Sequence, residues 1–175
     1  MRMHRIAVLA SLGAMLAFGG AWADTTVELK GVHLCCGACV KAVADVAKKV
    51  DGVTIKCDRK EKKVTVTAAD DATVQKALDA LAEGGFHGDT GKDNLKMKDD
   101  SGVTKGKVAT ITLTGIHNCC PACTGAIKKT VGKVEGVKAS DVKPRDVTIT
   151  VTGDFDAADL VKELNAAGFH VKSTK

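Results

Sequence analysis

Six of the seven cysteines in this 175-residue chain fall in two nine-residue stretches. One reads Gly31-Val32-His33-Leu34-Cys35-Cys36-Gly37-Ala38-Cys39, the other Gly115-Ile116-His117-Asn118-Cys119-Cys120-Pro121-Ala122-Cys123, with six of nine positions identical. Two cysteines three residues apart at the start of a helix bring both sulfurs within reach of one ion. Thiolate ligands select copper(I), zinc and similarly soft ions over calcium or magnesium. Cys39 and Cys123 are expected in a first helical turn, where unpaired N–H groups and the helix dipole favour the thiolate. Cys36, Cys39, Cys120 and Cys123 are therefore the primary candidate metal ligands. Cys35, Cys119, His33 and His117 extend the set, because His-x-Cys-Cys-x-x-Cys offers up to four donors per stretch. Two thiolates suit linear copper(I) or mercury(II); three, or three with an imidazole, suit trigonal copper(I) or tetrahedral zinc. The competing readings are a disulfide, natural in an oxidising compartment, a spare thiol at Cys35 and Cys119, and a loop hydrogen-bonder at His33 and His117.

The elements around these stretches repeat. Thr25-Val27-Leu29 alternates as a strand, Val43, Val46, Ala47 and Val50 recur at helical spacing, and Asp51-Gly52 stops that helix. Val53, Ile55 and Cys57 form a second strand and Val64 to Thr67 a third. Asp71 to Glu83 reads as a helix with Val74, Ala77, Leu78 and Leu81 inward, and Phe86-His87 opens a short last strand. The second half gives strands at Val108 to Thr114, near Val142, and at Val147 to Thr152. Its helices are Cys123 to Val134 and Asp156 to Ala167, and Gly168-Phe169-His170 echoes Gly85-Phe86-His87. The fold class is α+β: two tandem β-α-β-β-α-β domains, 24–90 and 108–175, joined by a polar and flexible linker, 91–107. His87 and His170 are expected at the surface. Cys57, with no counterpart in the second copy, is expected to be a buried or half-buried strand thiol.

Residues 1–23 have a basic start, an apolar run from Ile6 to Phe18 and an Ala-x-Ala end, the pattern of a signal peptide cleaved before Asp24. The run is shorter than the roughly 20 residues a membrane span needs. A periplasmic or secreted product with no membrane span is expected. Loss of Arg2 and Arg5 lowers the formal charge from +5 to about +3, and the lysines are dispersed among acids. There is no Tyr, and the single Trp lies in the leader, so nucleic acid is disfavoured as a partner.

Cys-x-x-Cys followed by Gly-Val thirteen residues on, in this element order, resembles the heavy-metal-associated domain family. That family includes copper chaperones, modules of metal-pumping ATPases and a periplasmic mercury-binding protein. The resemblance implies a ferredoxin-like fold in each half, metal binding at Cys36/Cys39 and Cys120/Cys123, and Phe86 and Phe169 near the metal loops. The family usually reads Gly-Met-Thr-Cys-x-x-Cys; here two residues are added before the pair, and Val32 and Ile116 replace the Met. The implied function is sequestration or delivery of copper(I), or of mercury, zinc or cadmium, one ion per loop, in exchange with a metal donor or acceptor such as a transporter. The chain is read as no enzyme. The alternative is a thiol–disulfide oxidoreductase using the Cys-x-x-Cys pairs, against which stands the lack of a proline placed as a cis-Pro facing the site.

Overall fold

The computed structural model describes residues 24–174; the expected signal peptide, 1–23, lies outside them. In the first unit, β1 (Thr25–Leu29), α1 (Gly37–Ala47), β2 (Thr54–Asp58), β3 (Lys63–Ala68) and α2 (Asp71–Glu83) follow in order. The second contains β4 (Lys107–Thr114), α3 (Pro121–Val131), β5 (Val137–Asp141), β6 (Ile149–Asp156), α4 (Ala157–Ala166) and β7 (Lys172–Ser173). Both sheets are antiparallel, in the orders β1-β3-β2 and β5-β6-β4-β7. These are two β-α-β-β-α-β-like units of the ferredoxin-like type. Among the described residues no helix is long and apolar enough to cross a membrane.

Side-chain alternation sets the registers. Val27 faces Val66 and Leu29 faces Val64 across β1 and β3, all four buried, so one face of that sheet is a continuous apolar floor. Cys39, Val43 and Val46 of α1 and Val74, Ala77, Leu78 and Leu81 of α2 cover it. Asp70 caps α2 by accepting the Thr73 N–H at 2.7 Å, and Asp156 caps α4 by accepting that of Ala158 at 2.9 Å. The last strand expected at Phe86-His87 is absent: Lys30 and Asp89 form a single bridge, and Phe86 pairs instead with Phe169 of the other unit. The connecting segment is not the free linker expected. Leu95 is buried in the first core, while Asp100 Oδ1 meets His170 Nε2 at 2.8 Å and Ser101 accepts the Ser173 N–H at 2.7 Å.

The two units meet through a local two-fold relation. The His87 N–H donates to Gly168 O at 3.1 Å and the His170 N–H to Gly85 O at 3.0 Å. His33 stacks on Phe169 and His117 on Phe86, each at 4.3 Å between ring centroids. His87 and His170 lie parallel at 5.9 Å, so both belong to the junction, and His170 is only 3% exposed. Strand alternation had pointed them to solvent because it carries no information about a second unit. Gly85 (φ +79°) and Gly168 (φ +89°) are where the backbones cross. A Cβ on Gly85 would stand 2.3 Å from Gly115 O and His117 N, and one on Gly168 2.3 Å from His33 N.

Three histidines here are displaced in the same direction. Burial, reinforced by His170, lowers His87 to about 4; burial, with His117 and Lys62 nearby, lowers His33 to about 4; and burial lowers His117. All three are thus neutral in the folded protein at neutral pH. Gly168→Ala should cost about 1–3 kcal/mol by overpacking and part the units, read as a larger radius of gyration in small-angle scattering with helix content retained. The unfolded chain takes up protons at the ordinary 6.5, before the folded one does. The share of stability that these histidines hold should therefore be full above about pH 6.5 and fall as pH drops toward about 4; thermal melts of the metal-free protein against pH test this, and His87→Phe should shrink the fall.

Candidate metal centre

The crossing of the units carries their two cysteine loops to one place. Each loop leaves its first strand at a left-handed glycine, Gly31 (φ +78°) or Gly115 (φ +80°), and ends at a helix N-cap, Cys36 or Cys120. The first loop is held from outside by Arg59, whose Nη2 donates to Cys35 O at 2.8 Å, and by the Val32 N–H to Lys62 O. In the second, Asn118 is buried where the first has Leu34. Its Nδ2 donates to Lys143 O and Asp146 O at 2.8 and 3.1 Å, and its Oδ1 accepts the Thr124 hydroxyl. The Lys143–Asp146 turn, which contains Pro144, is therefore what anchors that loop.

All six loop cysteines are free thiols, and their sulfurs form one group. Cys35 Sγ lies 3.5 Å from Cys39, 3.5 Å from Cys120 and 3.4 Å from Cys123. Cys119 Sγ lies 3.7 Å from Cys36, 3.6 Å from Cys39 and 3.7 Å from Cys123. The Cys36–Cys39 and Cys120–Cys123 pairs are both at 3.7 Å, and Cys39 and Cys123, each fully buried, are 3.9 Å apart. The sequence suggested two separate thiol loops; the structure joins them. The Nε2 atoms of His33 and His117 are buried without a partner. Donor atoms of Cys39, His117, Cys119 and Cys123 lie within 4.8 Å of one another, as do those of His33, Cys35 and Cys123. All eight candidate ligands are thus brought to one centre, four from each unit. Cys57, on β2, stands apart from it as a half-buried strand thiol, raised by burial.

The environment divides the thiols. The backbone N–H groups of Cys39 and Ala38, in the first turn of α1, lower Cys36 to about 6; those of Cys123 and Ala122 act in the same direction on Cys120, which is lowered from the ordinary thiol range. Burial raises Cys35, Cys119 and Cys123. The helix-terminal effect expected at Cys123 falls instead on the N-cap cysteine ahead of it, because Cys123 points into the dry centre. Of the residues that frame the centre, Phe86 and Phe169 stand beside the metal loops as the family resemblance implied, stacked on His117 and His33, whereas Gly85 and Gly168 were marked in the sequence only by the repeated Gly-Phe-His. Chemically, a compact set of thiols with two neutral imidazoles is matched to soft cations.

The heavy-metal-associated domain profile matches the chain twice, over residues 26–87 and 111–170. No curated protein matches it. Among solved structures, it is similar to the N-terminal soluble domains of Bacillus subtilis CopA, at 20% identity and a TM-score of 0.32, covering 87% of this chain and 95% of that one. A second structure, of the water-soluble region of the P-type ATPase CopA from Bacillus subtilis, shows 21% identity and a TM-score of 0.31 over 87% and 92%. With both units matched over well more than half its length, the chain belongs to the heavy-metal-associated domain family.

Proposed function

We propose that this protein is an exported metal carrier that sequesters or delivers copper(I), the alternatives being mercury, zinc or cadmium, and that it is not an enzyme. One observation carries the reading: six free thiols and two neutral, unpartnered imidazoles converge where the two units meet. Export rests on residues 1–23, whose leader pattern would release a chain beginning at Asp24.

The graded burial suggests how cargo moves. Cys36 and Cys120 lie at the rim, partly exposed, and are the thiols most readily ionised; Cys39 and Cys123 are at the floor. An incoming ion meets a rim thiolate first and exchanges inward as further thiols lose protons. Release runs the other way: a thiolate on an acceptor, such as a metal transporter, adds to the ion at the rim before Cys36 or Cys120 leaves it. The outer sulfur of each pair is thus the exchange point and the inner one the anchor.

In the anaerobic, reduced protein loaded with copper(I), Cys36→Ser with Cys120→Ser should slow transfer to a dithiol acceptor at least about tenfold, on the scale that loss of even an outer-shell partner costs a metal site. Transfer at the wild-type rate would refute the rim assignment. An insulin-reduction assay should show no turnover, since turnover would mark a disulfide oxidoreductase. Protein recovered from the periplasmic or extracellular fraction should begin at Asp24 by N-terminal sequencing.

A further inference from the structure

We propose that the six sulfurs make a single polynuclear copper(I)–thiolate site holding four ions per chain, in place of one ion per unit. This rests on the soft-metal reading above and specifies how the cargo is held. The nine sulfur–sulfur contacts of 3.4–3.9 Å close four triangles. These are Cys35–Cys39–Cys123, Cys35–Cys120–Cys123, Cys36–Cys39–Cys119 and Cys39–Cys119–Cys123. The local two-fold exchanges the first with the fourth and the second with the third. Each triangle takes two sulfurs from one loop and one from the other, so no ion seated on one of these faces belongs to a single unit.

Spacing favours trigonal over linear ions. With a metal–sulfur bond of about 2.3 Å, a linear ion holds its sulfurs about 4.6 Å apart and a trigonal one about 4.0 Å. The observed edges sit near the trigonal value and well inside the linear one. No four sulfurs are joined all-to-all by these nine contacts, so the set closes three-coordinate faces and no tetrahedral four-sulfur site. Four trigonal ions need twelve metal–sulfur bonds, and the six sulfurs supply them by bridging. Cys39 and Cys123 each belong to three faces, Cys35 and Cys119 to two, and Cys36 and Cys120 to one. The bridging order follows burial: the two floor sulfurs are shared most and the two rim sulfurs least.

Charge also favours more than two ions. Six thiolates with two copper(I) ions carry −4, in a centre whose two floor sulfurs are out of water. Four ions reduce this to −2, facing the N-termini of α1 and α3, each equivalent to about +0.5. The doubled cysteine of each loop is thereby explained. A Cys-x-x-Cys pair serves one two-coordinate ion, and Cys35 and Cys119 convert two such pairs into four faces.

The test is native mass spectrometry of the reduced protein, residues 24–175, titrated anaerobically with copper(I), alongside X-ray absorption of the loaded form. The expected result is a single dominant species with four ions, little population at one to three, and a short copper–copper scattering vector. Cys35→Ser with Cys119→Ser removes all four triangles while keeping both Cys-x-x-Cys pairs, so uptake should fall to two ions and the copper–copper vector vanish. Wild-type uptake ending at two ions, unchanged in this variant and without that vector, overturns the shared cluster and leaves the carrier reading standing. A plateau at any number other than four overturns the four-face assignment. Failure to hold copper(I) against a competing chelator, or retention of zinc in preference to copper(I), overturns the copper carrier reading together with the cluster.

Discussion

The centre exists because two polypeptide backbones cross without side chains between them. Gly85 lies against Gly115, Ile116 and His117, and Gly168 against Gly31, Val32 and His33, at distances that leave no room for a Cβ. Each unit is both ridge and socket: its Gly-Phe-His turn enters the other unit's cysteine loop, and its own loop receives the other's turn. This reciprocity, usual where two copies associate about a two-fold axis, is built here into one chain by duplication. The paired N–H to O=C hydrogen bonds and the Phe–His stacks then fix rotation about the crossing, so the sulfur positions follow from the backbone contact.

The interface also resolves a difficulty of size. Units this small bury little apolar surface each. Here the apolar cluster of the first unit runs on through Phe86 into Cys123, Cys119 and Cys120 of the second, so the thiols are core as well as chemistry. Filling the centre with metal and closing the two units on one another are consequently linked: an ion that binds only the closed arrangement stabilises it by its own binding free energy.

Much of each unit was legible because its signals are local. The apolar spacing of Val74, Ala77, Leu78 and Leu81 places α2 at Asp71–Glu83 in both sequence and structure, and alternation locates β3. Helix α1 starts two residues earlier than Cys39 because Cys36, at the rim, takes the extended cap conformation. What was not legible is what depends on the other unit. Phe86 alternates with His87 as a strand would, yet pairs across the junction with Phe169. The polar composition of the connecting segment reads as a free tether, but composition does not reveal that Leu95 finds a core site, or that Asp100 finds His170 and Lys172. The eight donors were all readable from their types and spacing. Their convergence was not, since no local pattern encodes which face one domain turns toward the next.

The uneven ionisation of the thiols bears on how such a centre both retains and yields its cargo. Cys35 and Cys119 keep their protons because they are removed from water and crowded by other sulfurs. The same crowding reverses sign once a cation occupies the space, because a neighbouring positive charge favours the thiolate that desolvation opposed. Each ion bound lowers the cost of ionising the next thiol, and each proton released commits the loops further to the closed arrangement. Cys36 and Cys120 bear less of this cost, because the amides of the first helical turns favour their thiolates. The centre thus combines an interior whose deprotonation is opposed until metal is present with a rim where the thiolate is favoured without it. On the carrier reading, an acceptor that engages the rim draws on the part least bound to the rest, so retention and exchange are separated within a few ångströms by burial together with the amides of the helix N-termini.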